Sequence, residues 1–528
     1  MILYGAVGEG GTTSARYERY FIFHGNLTSF DKQGTVLPRA AVKVPTVQDG
    51  DWKVNPDATM EVTWKIRPDA FWHDGTPLTS DDFVFGFEVL REPKLGIATL
   101  GETVNMTSVK AIDPKTFAVN WKTTSVQGNV NSSEGVPAIP KHQLGDLFHS
   151  GDLVAFEGSP AWRGELIGIG PYRVTKLEQG SHLEAAAFDK YFLGKPKIDR
   201  LIMRFVADVN VTVAQLLAGA VDYISRGSSL KPVQMVEIER QLGKDGGTVF
   251  PVFNDVRTLN VNFQIADRPW AQDLRVRQAL LYGLNRQQLV DVLQEGKTQI
   301  AYFNAFPEFP VYKLAEQRGL PKYEYDLNKA QQLLTAAGWT KGTDGILHNS
   351  TGQVMPPFYC CRYESGDSND IRESLAWGTD FKTLGFEVVH PIPAPAAGLS
   401  STETRKAQAQ GPRGGSIGNF RVTADQNFGT LITANIPREE TRWAGINAGG
   451  WANSTYEGLF TKALSTLDVA PRRELEFQMM KIAMEDLPLL PAYYNPSGVA
   501  IRKGVEGIGT GSAYNRGNTD DIHLWDIK

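Results

Sequence analysis

Residues able to do chemistry are sparse in this chain, and their spacing decides what each could do. Gly414-Gly415-Ser416-Ile417-Gly418 matches the G-x-S-x-G pattern of a hydrolase nucleophile elbow, with Ser416 as the nucleophile and His523 downstream as a conceivable base. Such an elbow needs an apolar strand feeding the serine, because the strained strand-to-helix turn is what exposes the hydroxyl. Residues 407–413 (AQAQGPR) are not that strand, so a Gly-rich loop is expected, and a secreted serine hydrolase using Ser416 stays as an alternative only. The eight histidines, at 24, 73, 142, 149, 182, 348, 390 and 523, offer no i, i+3 or i, i+4 helical pair and no HExxH, so spacing supports no protein-ligated metal. Gly296-Lys297-Thr298 resembles the end of a P-loop, yet Asp291 stands where the opening glycine belongs, and no phosphate cradle follows. Asp49-Gly50-Asp51 starts like a calcium loop and fails at Val54 and Met60, where a turn glycine and a bidentate carboxylate are required. Cys360 and Cys361, the only cysteines, are adjacent. They build neither a disulfide framework nor a CxxC site, and read as small apolar core residues. With no catalytic constellation and no cofactor expected, binding is the residual activity.

The elements that would position a binding site alternate between strand and helix. Residues 61–67 alternate in period two, Asp74-Gly75 supplies a hairpin turn, and Thr79 with Asp82 forms a capping box ahead of a helix carrying Phe83, Phe87 and Leu90 on one face. Gly168 to Pro171 turns into a strand at 172–174. A helix over 213–217 leads through Gly219 into a strand at 221–224, and another alternating strand covers 259–263. Helices are then expected over 273–284, 286–293, 326–337 and 371–384, the last two stopped by Gly338 and Gly385, and again near 455–467 and 471–485 before a strand at 487–494. Residues 9–14 and 392–415 read as loop. Residues 1–7 read as a strand without the charged and apolar regions of a signal peptide.

The composition narrows the partners. The 528 residues carry 54 basic and 59 acidic side chains, a net charge of -5, which lacks the basic footprint of nucleic-acid binding. At 41% hydrophobic and 21% charged the chain is an ordinary globular protein, and its length suggests about three structural units. No run approaches the roughly 18 apolar residues of a membrane span.

Residues 64–85, WKIRPDAFWHDGTPLTSDDFVF, resemble the signature of the family 5 extracellular solute-binding proteins, the dipeptide, oligopeptide and nickel-binding components of ABC importers. Further blocks follow in family order: GIGPYRV at 168–174, YFLGKPKID at 191–199, LNVNF at 259–263, DLRVRQAL at 273–280, AAGW at 336–339 and LPLLP at 487–491. The resemblance implies an α/β, two-lobed periplasmic-binding-protein fold of type II, with mixed sheets flanked by helices. Lobe I would comprise 1–45, 166–264 and 492–528, with an extra subdomain inserted at 46–165, and lobe II would comprise 265–491, with hinges near Phe263 and Pro491. It also implies a non-enzymatic, monomeric receptor that closes on a small solute and meets a membrane permease with its ATPase. The location would be periplasmic or extracellular, with Met1 the start of a trimmed exported chain and a lipid-modified cysteine ahead of it left open.

In peptide-binding relatives an Asp in a Trp-x-x-Asp-Tyr motif holds the ligand's ammonium. The nearest equivalent here is Ser416-Ile417-Gly418-Asn419-Phe420, which puts an amide, Asn419, in place of the carboxylate. A buried ammonium needs an opposing charge, so the resemblance implies a ligand other than a simple peptide with a free amino terminus. Arg413 could pair with an anion, and Asp425 is the substitute anchor if the ligand is a peptide after all. His24-Gly25-Asn26, Trp443, Trp451 and Tyr494 complete the expected ligand-binding set, and His73 is expected to be structural.

Overall fold

The computed structural model describes all residues except 1–12, 96, 98–100, 133–134, 163–164, 362–367, 391, 393–395, 397, 412, 422–426 and 511–516. The strand expected at 1–7 and the anchor Asp425 lie outside the described residues. The chain divides into two units, 1–252 with 497–528, and 253–496. It therefore passes between units twice, each time within a long strand, Gly247–Val261 and Leu489–Arg502. The passages read from sequence, at 264/265 and 491/492, fall inside the second unit. The pairing that holds residues 255–261 against Gly415–Arg421 is internal to that unit.

In the first unit, the segment after residue 45 folds as a four-stranded antiparallel sheet in the order Trp52–Val54, Met60–Lys65, Thr116–Trp121, Met106–Asp113. Met60, Val62 and Trp64 are buried and alternate with more open neighbours, which is the expected period of two. The Asp74-Gly75 turn is closed by a bridge between Phe71 and Pro77, and Gly75 takes a φ of +90° that a Cβ would resist. Asp82 then accepts hydrogen bonds from the Thr79 backbone N–H at 2.8 Å and from Trp72 Nε1 at 3.2 Å, so one buried carboxylate caps helix Ser80–Arg91 and ties it to the hairpin. A three-stranded antiparallel sheet, Tyr172–Glu178, His182–Ala187 and Arg200–Arg204, shares a core with helix Thr13–Phe23 and Phe85, Phe156 and Trp162. That first helix begins at Thr13, inside the stretch 9–14 expected to be loop.

In the second unit helices dominate. Leu327–Ala336 and Ser368–Thr383 are followed by Gly338 at φ +88° and Gly385 at φ +100°, the left-handed stops expected there. The helix expected over 286–293 is a short α-turn, Arg286–Gln288, running into a π-helical turn, Leu289–Leu293. The stretch 392–415, expected to be loop, contains helix Ser401–Gln410. Ser400 and Glu403 form its capping box, the Glu403 carboxylate accepting from the Ser400 N–H at 2.9 Å. Its Glu, Lys, Ala and Gln are good helix formers even though too few apolar residues fall on one face to announce it. Cys360 and Cys361 are fully buried, as expected of core residues. Among the described residues no helix is long and apolar enough to cross a membrane.

Candidate functional site

Each unit contributes its own group of candidate residues. In the first unit, His24 follows the helix Thr13–Phe23 and is fully buried, its ring stacked on Trp72 at 5.9 Å and edge-on to Tyr20 at 5.2 Å. Burial, with His73 nearby, holds its pKa down at about 3, so it is neutral at physiological pH. Tyr20 donates to the Gly25 carbonyl at 3.0 Å. Asn26 donates to the Ser132 and Val136 carbonyls at 2.8 and 3.2 Å and accepts from the Leu27 N–H. Asn26 and His24 are thus committed to holding the loop, and half-buried Gly25 is its open member. His73 is a brace too: its Nδ1 accepts from the Gly168 N–H at 3.0 Å while Nε2 meets the Gly170 carbonyl at 2.9 Å, which clamps the turn beneath that loop.

In the second unit, Ser416, Asn419 and Phe420 lie on the strand Gly415–Arg421, antiparallel to residues 255–261 with Asn419 opposite Arg257. The expected Gly-rich loop is therefore a strand. Its glycines exist for packing: a Cβ on Gly415 would sit 2.9 Å from the Leu259 side chain, and one on Gly418 2.5 Å from Asn260 Nδ2. No strand-to-helix turn exposes Ser416, and the elbow chemistry has no geometry here. Asn419 is exposed, and behind it sits a buried chain of polar groups. Arg257 donates from Nη1 to Asn419 Oδ1 at 2.6 Å, and from Nε and Nη2 to the two oxygens of Glu373. The Tyr493 hydroxyl donates to Glu373 Oε1 at 2.5 Å and accepts from Gln294 at 3.2 Å. Burial alone would lower the Arg257 pKa, but the Glu373 carboxylate more than offsets it, so the guanidinium stays charged. Burial and Glu373 together raise Tyr493, which stays protonated.

The other candidates are occupied by the protein itself. Arg413 is buried and donates to the Ala448 carbonyl at 2.6 Å. Trp451 is buried, donates from Nε1 to Asp486 at 2.5 Å and meets Tyr456 edge-on. Tyr494 is buried, with its hydroxyl on the Ala305 carbonyl at 3.0 Å and its ring against Phe253 and Phe306. Trp443 is half-buried, with Lys406 Nζ 5.8 Å from its ring centre, on a turn where Arg442 and Trp443 both take positive φ, at 50° and 57°. The strand thus carries Ser416 and Phe420 on one face and Asn419 on the other, with Asn419 exposed, Ser416 and Trp443 half-buried and Phe420 buried. Arg257, Glu373 and Tyr493 had no sequence signal, because their link depends on strand register and on a helix more than a hundred residues away. Among the described residues, no group of three or more His, Cys, Asp or Glu side chains is placed to hold a metal ion.

Comparison with known proteins gives the same picture at two levels. The family model of bacterial extracellular solute-binding proteins, family 5 middle, matches residues 44–406. The chain is 27% identical over 451 residues to the oligopeptide-binding protein AppA of Bacillus subtilis, covering 83% of this chain and 76% of that one. It is 29% identical over 283 residues to a putative ABC transporter peptide-binding protein of Brucella ovis, covering 52% of this chain and 48%, about half, of that relative. The crystal structure of NikZ from Campylobacter jejuni in complex with Ni(L-His) superposes with a TM-score of 0.71 at 21% identity, over 96% of this chain and 94% of that one.

Proposed function

The chain belongs to the bacterial extracellular solute-binding proteins of family 5, and on that premise we propose that it captures a small solute by lobe closure outside the cytoplasm and hands it to the permease of an ABC importer. Closure of this kind is a two-state equilibrium that the ligand biases by contacting both lobes. The ligand is a solute other than a simple peptide with a free amino terminus. The observation that carries this is the neutral side chain at 419, whose oxygen is already engaged by Arg257. An ammonium brought to that amide would lose its water and find no charge on the Asn419 side chain itself, at a cost of several kcal/mol. AppA is named for oligopeptides and NikZ holds a nickel–histidine complex, so both chemistries belong in the trial. Isothermal calorimetry against di- to pentapeptides is expected to show no tight binding, and tight binding of ordinary peptides overturns this ligand assignment.

A further inference from the structure

Resting on that receptor reading, we propose that Arg257 is a positioning residue that fixes the polarity of Asn419, so that the site selects a ligand group that accepts hydrogen bonds, a carboxylate or a neutral carbonyl, over an ammonium. A guanidinium has donors only. The oxygen of the Asn419 amide must therefore face Arg257, which it does at 2.6 Å, and the NH2 is turned the other way. That NH2 finds no partner among the described residues, and Asn419 is exposed. A free asparagine amide can flip and serve either polarity, whereas this one is denied that choice by a buried cation.

The cation is held in turn. Glu373 takes two donors of Arg257, and its side chain and that of Arg257 are only 7% and 10% exposed. Tyr493 donates to the same carboxylate, which sets the position of Glu373 from a second strand. Within the pair the two charges oppose each other. The site discriminates by direction, offering N–H groups where an ammonium would need oxygen. A ligand with the wrong polarity leaves both itself and the amide unsatisfied.

The test uses a tryptic digest of casein divided into two halves, one acetylated at its amines and one left free, offered to the whole protein and read by native mass spectrometry. Wild type is expected to retain acetylated peptides over free-amine peptides by about tenfold, the scale of one misplaced polar group. Asn419→Asp keeps the acceptor that Arg257 requires and turns a carboxylate oxygen outward, so it is expected to reverse the preference. Arg257→Gln combined with Glu373→Gln removes both charges together, and is expected to abolish discrimination while circular dichroism shows a retained fold. If that pair fails to fold, the Asn419→Asp reversal decides. Succinate and N-acetylalanine amide, titrated separately, tell a carboxylate from a neutral carbonyl. An equal or free-amine preference in wild type, or no reversal in Asn419→Asp, overturns the proposal. Retention of neither half overturns it as well. If solutes from a cell extract are still retained in that case, the receptor reading stands alone, and if none are, both fall.

Discussion

Three of the buried arginines of the second unit meet the cost of burying a cation in different ways, and the difference predicts how each responds to substitution. Arg257 has a carboxylate, Glu373, and Arg277 has Asp486 at 2.5 Å with its guanidinium 5.0 Å from the Phe263 ring centre. Among the described residues no carboxylate hydrogen-bonds to Arg286, although the charges of Tyr302 and Glu324 act on it. It donates to the carbonyls of Ala301, Pro491, Lys322 and Tyr323 and lies 5.3 Å from the Tyr302 ring centre, while burial lowers its pKa to about 10. It is therefore still charged at neutral pH, and carbonyl dipoles and a π-face carry the compensation. Replacing Arg286 by Met keeps most of the volume and strands several buried carbonyls. The expected loss is about 3 kcal/mol or more in denaturant unfolding, since each orphaned buried acceptor costs about 1–3 kcal/mol. A loss under about 1 kcal/mol would mean that water reaches these carbonyls and that the arginine is not the clasp described.

At the scale of elements, the loop carrying His24, Gly25 and Asn26 is set by how closely the turn Gly168 to Gly170 approaches the end of helix Thr13–Phe23. A Cβ on Gly170 would lie 2.5 Å from the Phe23 carbonyl carbon and 2.6 Å from the His24 nitrogen, backbone atoms that cannot rotate away. Gly25 has room, with a single neighbouring atom, of Ile169, at 4.0 Å. Gly170→Ala is expected to lower stability by about 1–3 kcal/mol and to displace the loop, the usual cost of overpacking. Gly25→Ala is expected to leave the melting temperature nearly unchanged, and similar melting of the two variants would contradict the packing argument. Much of this layer was legible beforehand. The 168–171 turn, the Asp74-Gly75 hairpin, the Thr79–Asp82 box and the glycine stops are local signals, and local signals survive in a single chain. Helix Ser401–Gln410 was not legible, because its polar composition hides a capping box visible only at Ser400 and Glu403. Asn419 was singled out as a candidate through its departure from a motif. Arg257 and Glu373 were not, because a pair 116 residues apart leaves no spacing to read. His24, Asn26, Trp451 and Tyr494 are buried, with Asn26, Trp451 and Tyr494 hydrogen-bonded within the chain, and the burial of a polar or aromatic side chain is not something a single sequence states.

For the molecule as a whole, the buried titratable groups of the first unit predict how the protein responds to acid. Burial holds His24 at about 3, His73 at about 4 and His523 at about 4, all below the ordinary histidine value of 6.5. Each is neutral when folded and takes a proton when unfolded, so each contributes stability that is present above about pH 6.5 and lost as pH falls toward 4. Glu18 works the other way. Burial, only partly countered by Arg226, raises it to about 7, although it accepts from the Asn518 N–H at 3.0 Å and from Tyr223 at 3.3 Å. It keeps its proton when folded, so its contribution is full below its unfolded value of 4.5 and is lost as pH rises through 7. Three histidines against one glutamate leave the unfolded first unit binding about two more protons than the folded one near pH 5.5. Stability should therefore fall by roughly 2 kcal/mol per pH unit on acidification between about 6.5 and 4.5. Urea unfolding at a series of pH values in this window measures the slope, and a flat or rising stability on acidification would contradict the assignment. Glu18→Gln removes the opposing group and so should steepen the same slope toward three protons, while His73→Phe should make it shallower by one.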